Sequence, residues 1–381
     1  LTFFTFVVLM VGLGSNDSLR GIFSTIFQEH FSLTTTQLGL IVTASYIGNL
    51  VFLLVGGNLS TRFSKKRVLQ VLILIWMAAL ALFAFTSNYT VLLIGMALAL
   101  GSSTLLNTTM NLITPLLFAT APGFFVNFLF FTQEIGTSGS QYILGSHADG
   151  FAFWQHTNLV LLILGAVAFV LLLFCNVPEE AAAPADAPAQ KGGYDWRIIV
   201  PYVLVFGFYF IAEHGVMNWM VAYGVDGLGL PQASAAKYLS VFFGGMMIGR
   251  LCLSPLVDKL GALKSLAAFG GVSCVLYLIG SLGGAVTMPV WAISGLSFSI
   301  LYPTLVMSIR LYFPAQQVSG AAGTILSIAS LADILFNVGF GKLVDMAGYA
   351  VSIRVLPLSA LAFFIVFMLF TKFCKPTQKL K

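Results

Sequence analysis

The chain has 381 residues, of which 59% are hydrophobic and only 8% charged, and its mean hydropathy is +0.97. A soluble domain carries about 25% charged residues, so this composition excludes one and points to an integral membrane protein. The net charge of +5 is no nucleic-acid footprint, because the basic residues gather in particular loops, and the four cysteines show no paired spacing that would suggest a disulfide framework or a metal site.

Apolar stretches uncharged over roughly 20 residues read as membrane helices rather than barrel strands. Twelve are expected, at 3–27, 37–59, 68–87, 90–118, 124–146, 155–176, 198–223, 235–257, 263–284, 287–311, 319–343 and 349–373. The first carries Asp17 and lacks a basic start and a cleavage site, so it does not read as a signal peptide. It begins at the very edge of a span, which predicts a short polar segment before it. Residues 177–196, rich in Ala, Pro and Gly, read as a hydrophilic linker. The expected architecture is an all-α membrane protein of 12 transmembrane helices in two six-helix pseudo-symmetric bundles. Residues 1–176 form the first bundle, 177–196 a cytoplasmic linker and 197–381 the second.

Orientation follows from lysine and arginine. With both termini cytoplasmic, the inner segments hold Arg62, Lys65, Lys66, Arg67, Lys191, Arg197, Lys259, Lys264, Arg310, Lys372, Lys375, Lys379 and Lys381. The outer loops hold Lys237, Lys342 and Arg354, while Arg20 and Arg250 lie within spans. A multi-pass protein of the cell (inner) membrane is expected. Related loop sequences follow spans two (GGNLSTRF), eight (SPLVDKLG) and eleven (GKLVDMAG), with a weaker GSHADG after span five. The two halves register at an offset of about 197 residues, which aligns Asp17 with His214, Glu134 with Asp333, and Asn107 with Tyr302.

Four acids, Asp17, Glu134, Glu213 and Asp333, sit near the centres of apolar spans. A carboxylate at that depth costs roughly 2.5–3.5 kcal/mol or more unless it faces a polar interior. Their presence implies a polar path, and transport is the leading reading. Helical spacing gathers polar residues into stripes: Asp17, Arg20 and Ser24; Thr104, Asn107 and Asn111; Asn127, Glu134 and Gln141 with Gln133 adjacent; Tyr209 with Glu213, and His214 with Asn218; Ser327, Ser330, Asp333 and Asn337. Asp17 either cycles a proton or forms a structural pair with Arg20 one turn away. Glu213 has no cation within a helical turn, and His214 can share its proton. Glu134 and Asp333 can bind solute, carry a proton or pair with Arg20. The amides of Asn107, Gln133, Asn218 and Asn337 offer the donors and acceptors that a polyol needs, and Trp219 or Tyr302 can stack on a sugar ring. Interhelical packing is the bland alternative for each. Arg62, Arg250 and Asp258 read as structural or gating residues, together with Arg20 and His214. No phosphate-binding loop or HExxH motif appears.

The six-plus-six layout and the repeated loop resemble the major facilitator superfamily. The loop after span two, typically G-x-L-x-D-R-x-G-R-[RK] there, is represented by Gly57, Leu59, Thr61, Arg62, Lys65 and Lys66; Thr61 replaces the usual acid, and Asp258 keeps it after span eight. Within that superfamily the chain resembles the fucose–galactose–glucose proton symporter group in Asn16-Asp17, QLGLIVTASYIGN, NFLFFTQEIGTSGS and SILYPTLVMSI. The resemblance implies proton coupling at Asp17 and a part for Asn16 at the solute site. It places Asn107 where the fucose type carries an acid.

The expected function is proton-coupled uptake of a small polar solute such as a monosaccharide. Two bundles would alternate access to a midplane site, with no cofactor and no catalytic residues. The expected partners are solute, proton and lipid bilayer, with no nucleic acid, and the protein is expected to be a monomer. A proton-antiporting exporter of amphipathic compounds and a non-transporting membrane sensor are the alternatives.

Overall fold

The computed structural model describes residues 1–118, 122–178 and 194–376, apart from the side chains at 55–62, 115, 122–124, 127, 254, 258, 315, 316, 319 and 320. The chain divides into two compact units, Leu1–Ala187 and Pro188–Lys381. Most of 177–196 lies outside the described residues, as do the side chains of Arg62 and Asp258.

The first unit contains α1 (Thr2–Ile22), α2 (Ser24–His30), α3 (Thr35–Arg62), α4 (Lys65–Phe85), α5 (Tyr89–Leu117), α6 (Pro122–Ile143) and α7 (Phe151–Leu173). The second contains α8 (Trp196–Ala222), α9 (Gln232–Leu260), α10 (Ala262–Leu282), α11 (Met288–Ile293), α12 (Gly295–Phe298), α13 (Leu301–Ser308), α14 (Ala315–Ala347), α15 (Tyr349–Ser352) and α16 (Val355–Phe373). Among the described residues, 11 helical stretches are long and apolar enough to cross a membrane. Helix α6 has comparable length, 22 residues, but carries Gln133, Glu134 and Gln141 and is not among the 11. Together they make the expected all-helical, twelve-span fold.

In the first unit α1 packs along α6, α3 along α5, and α4 against α5 and α7. The α1–α6 contact is backbone to backbone. A Cβ on Gly14 would lie 2.0 Å from the Gln133 carbonyl oxygen, and one on Gly136 would lie 2.1 Å from that of Val11. Small residues at such a crossing let helices approach where lipid supplies no hydrophobic drive. Thr137 Oγ1 then donates to Gly14 O (3.2 Å) and Ser15 Oγ to Gly136 O (3.3 Å). In the second unit α8 lies against α14 and α16, and α9 against α11 and α12.

Three expected spans are interrupted, the twelfth (349–373) near its start, between Ser352 and Val355. The first ends at Ile22 and resumes at Ser24, where the Ser24 hydroxyl donates to Gly21 O (2.8 Å). Ser24 is therefore tied to the break rather than to the Asp17 stripe. The tenth, expected as one helix over 287–311, is divided into α11, α12 and α13. Ser294, Ser297 and Ser299 each donate to the carbonyl three residues back (2.5, 2.9 and 2.8 Å). Such back-bonding competes with the helical ladder. The gap brings α12 onto α9, where a Cβ on Gly295 would meet Phe242 O at 1.9 Å. Apolar side chains half or more exposed, such as Val160, Ile163 and Val167 on α7 and Val272 and Val275 on α10, supply lipid-facing surface.

Candidate functional site

In the first unit the polar residues converge from α1, α5 and α6. Asp17 is half-buried. Its carboxylate accepts from Ser103 Oγ at 3.3 Å to both oxygens, and from Asn16 Nδ2 at 3.4 Å. Arg20, one turn on and 6% exposed, acts on Asp17 electrostatically and stands over the Tyr46 ring of α3 at 5.6 Å from its centroid. The carboxylate thus has a hydroxyl, an amide and a guanidinium around it, so the structural-pair and proton-carrying readings draw on the same surroundings.

Next to it runs an amide chain. Asn111 Nδ2 donates to Asn107 Oδ1 (2.6 Å), and Asn107 Nδ2 donates to Gln133 Oε1 (2.6 Å). Asn111 Oδ1 is a buried acceptor with no protein donor among the described residues, an opening for a water or solute hydroxyl. The backbone contact at Gly14 fixes Gln133 against α1, which sets this chain beside Asp17. Glu134 is half-buried on the same helix. Ser103 was not among the expected residues, although Ser103, Asn107 and Asn111 repeat every four positions and share a face.

The second unit holds two ionisable clusters. His214 Nδ1 is hydrogen-bonded to Asp333 Oδ2, joining α8 to α14. Asp333 is 2% exposed, His214 is 24% exposed, and the imidazole stacks on Phe210 (5.3 Å, 5° between planes). Asn337 Nδ2 donates to Asp333 O (2.8 Å) and Trp219 Nε1 to Asn337 Oδ1 (2.9 Å). Both Trp219 and Asn337 are fully buried, and the indole packs on Phe340 at 4.8 Å. They brace the pair here, rather than presenting a stacking face and a free amide.

Glu213 belongs to the other cluster. It is 9% exposed and acts electrostatically on Tyr209, Tyr277 and Tyr302. Arg250 of α9 acts on Tyr209 and Tyr302 as well, so a cation does stand in this cluster. The absence of a cation within a helical turn therefore does not leave Glu213 remote from one. Consecutive residues on a helix point about 100° apart, and the His214 imidazole turns toward Asp333 of α14. Tyr302 stacks with Tyr209 (6.1 Å, 27°), and Asn218 is buried one turn beyond His214. Among the described residues no group of three or more His, Cys, Asp or Glu is placed to hold a metal.

The family model described as Major Facilitator Superfamily matches residues 3–332. The chain belongs to the major facilitator superfamily. It is 24% identical over 406 residues to the L-fucose-proton symporter of Escherichia coli K12, covering 95% of this chain and 90% of that protein. It is 27% identical over 344 residues to the glucose/galactose transporter of Brucella abortus biovar 1, covering 84% and 81%. The inward-open structure of the xylose transporter from E. coli superposes with a TM-score of 0.80 at 14% identity, covering 99% of this chain and 96% of that one. As a superfamily member the protein is a membrane transporter with the twelve-helix fold.

Proposed function

We propose that the protein couples a proton to the uptake of a small polar solute, a monosaccharide, across the cell membrane by alternating access. The observation that carries this reading is the amide chain Asn111–Asn107–Gln133 set beside Asp17. It offers hydrogen-bonding groups of both polarities next to a group that can take up a proton. The relatives, a fucose-proton symporter and a glucose/galactose transporter, support the same class of solute.

In this proposal Asn16, Asn107 and Gln133 bind solute hydroxyls in the first unit; in the second unit, Tyr302 and Asn218 are the candidate solute-binding groups. Asp17 is the proton carrier. When ionised it accepts from Ser103 and Asn16; when protonated it becomes a donor, and its attraction to the Arg20 guanidinium is lost. That change in local charge ties protonation to α1 and its neighbours. The Asp333–His214 pair is a second proton-holding site, braced by Trp219 and Asn337, while Glu213 and Arg250 balance charge within the tyrosine cluster. Glu134, next to Gln133 on α6, is the further candidate acid of this unit.

Uptake of a radiolabelled panel of hexoses, deoxyhexoses and pentoses into proteoliposomes, with and without an inward proton gradient, tests the reading. One or more sugars should accumulate only with the gradient. Equilibration without accumulation would leave a facilitator, and no uptake of any sugar would remove the sugar assignment.

A further inference from the structure

An apolar cavity lies away from these clusters, in the first unit. A cavity of about 510 Å³ is lined by Val51 and Phe52 of α3, Phe63, Arg67, Leu72 and Ile75 of the α4 side, and Leu105 of α5. That volume falls within the roughly 300–1,000 Å³ of small-molecule sites. Apart from Arg67 every one of these residues is apolar. Val51, Phe63 and Val71, which also lines the cavity, are 50%, 51% and 55% exposed, so the cavity opens outward along membrane-spanning helices.

Its charge is at one end. Helix α4 starts at Lys65, with Ser64 capping Arg67 N, and there is no acid in its first turn. Arg67 therefore sits at the positive end of a helix dipole, at the depth where a span meets the headgroups. Lys66 is turned away, donating to Leu173 O (2.9 Å) and Cys175 O (2.8 Å) at the end of α7. From Arg67 to Ile75 the lining descends eight residues, about 12 Å at the helical rise. One leaflet of a bilayer's hydrocarbon is about 15 Å deep.

We infer that this groove is a binding site for one anionic phospholipid, with an acyl chain along Val71, Leu72, Ile75 and Leu105 and the phosphodiester on Arg67. Among the described residues, an apolar slot about 12 Å long, capped by the Arg67 guanidinium at headgroup level, matches that molecule in charge and in most of one leaflet's depth. A zwitterionic lipid places an ammonium group beside the same guanidinium and gains less. The site is separate from the amide chain and Asp17, so it does not depend on the transport assignment.

The test uses delipidated full-length protein in dodecyl maltoside, titrated with dioleoylphosphatidylglycerol or dioleoylphosphatidylcholine, with bound lipid counted by native mass spectrometry. The phosphatidylglycerol should bind about fivefold more tightly, the worth of one basic side chain at an anionic headgroup. Arg67→Gln should remove that preference and leave some binding of both lipids. Val71→Trp, which fills the slot from its open side, should weaken both. Melting curves without added lipid establish that each variant is folded. Equal binding of the two lipids to the wild type would overturn the proposal. So would an unchanged preference in Arg67→Gln, or competition by glycerol 3-phosphate alone, which would mean headgroup attraction without an acyl site.

Discussion

At Asp17 the chemistry turns on whether one carboxylate gains and loses a proton. Its partners, Ser103 and Asn16, donate to the ionised form. Asp17→Asn keeps the size and removes the titration. Gradient-driven accumulation should fall to the level seen without a gradient, while exchange of labelled for unlabelled solute persists. If the variant still accumulates solute, coupling resides elsewhere, and the Asp333–His214 pair is the next site to examine. Ser103→Ala removes one donor to the carboxylate, an interaction worth about 1.5–3 kcal/mol when charged. The carboxyl should then protonate more readily, and the acid limb of the uptake profile should move to higher pH. In the second unit, His214→Ala leaves Asp333, which is 2% exposed, without its imidazole. A loss of about 1–3 kcal/mol in thermal unfolding is expected, and adding Asp333→Asn should restore part of it, because the two residues are directly bonded.

Helices carry these residues into place, and the α1–α6 crossing shows how tightly. With the added Cβ of Gly14 at 2.0 Å from a backbone oxygen, no rotamer change relieves the overlap, so the helices must separate. Gly14→Ala should cost about 1–3 kcal/mol, as overpacking does, and should weaken solute binding by moving Gln133 away from Asp17. Thermal melting followed by thiol labelling of the buried Cys175 and Cys274 measures the first effect. A melting point equal to wild type would show that the crossing tolerates a methyl group. This contact was only partly legible in the sequence. The polar stripes on α1, α5 and α6 follow from spacing, but which helix meets which does not. The tenth span shows a different limit. Its hydropathy is continuous, while the three serines that divide it act through local hydrogen bonds that hydropathy does not register. Likewise, Glu213 and His214 adjoin in sequence, yet the helical turn sends them to separate clusters.

On the scale of the whole molecule, two signals fix the architecture from sequence: long apolar runs and the uneven placement of lysine and arginine. The first recovered all twelve long spans, because burying backbone polar groups in lipid leaves a helix as the solution for each. The second makes a claim about sidedness. Most cations lie in segments read from the sequence as cytoplasmic, including the α3–α4 turn and the tail; the three read as outer are Lys237 and Lys342, toward the ends of α9 and α14, and Arg354, just before α16. Asp149, before α7, and Lys375, after α16, are both exposed and should lie on opposite faces. In a variant lacking the four native cysteines, Asp149→Cys should react with a membrane-impermeant maleimide on intact cells. Lys375→Cys should react only after permeabilisation. The reverse pattern would invert the whole topology and carry the Arg67 groove to the outer leaflet. Labelling of both on intact cells would place them on one face, which an odd number of crossings between residues 149 and 375 does not allow. The same two variants therefore test whether the intervening chain crosses an odd number of times and the direction in which a proton gradient would drive Asp17.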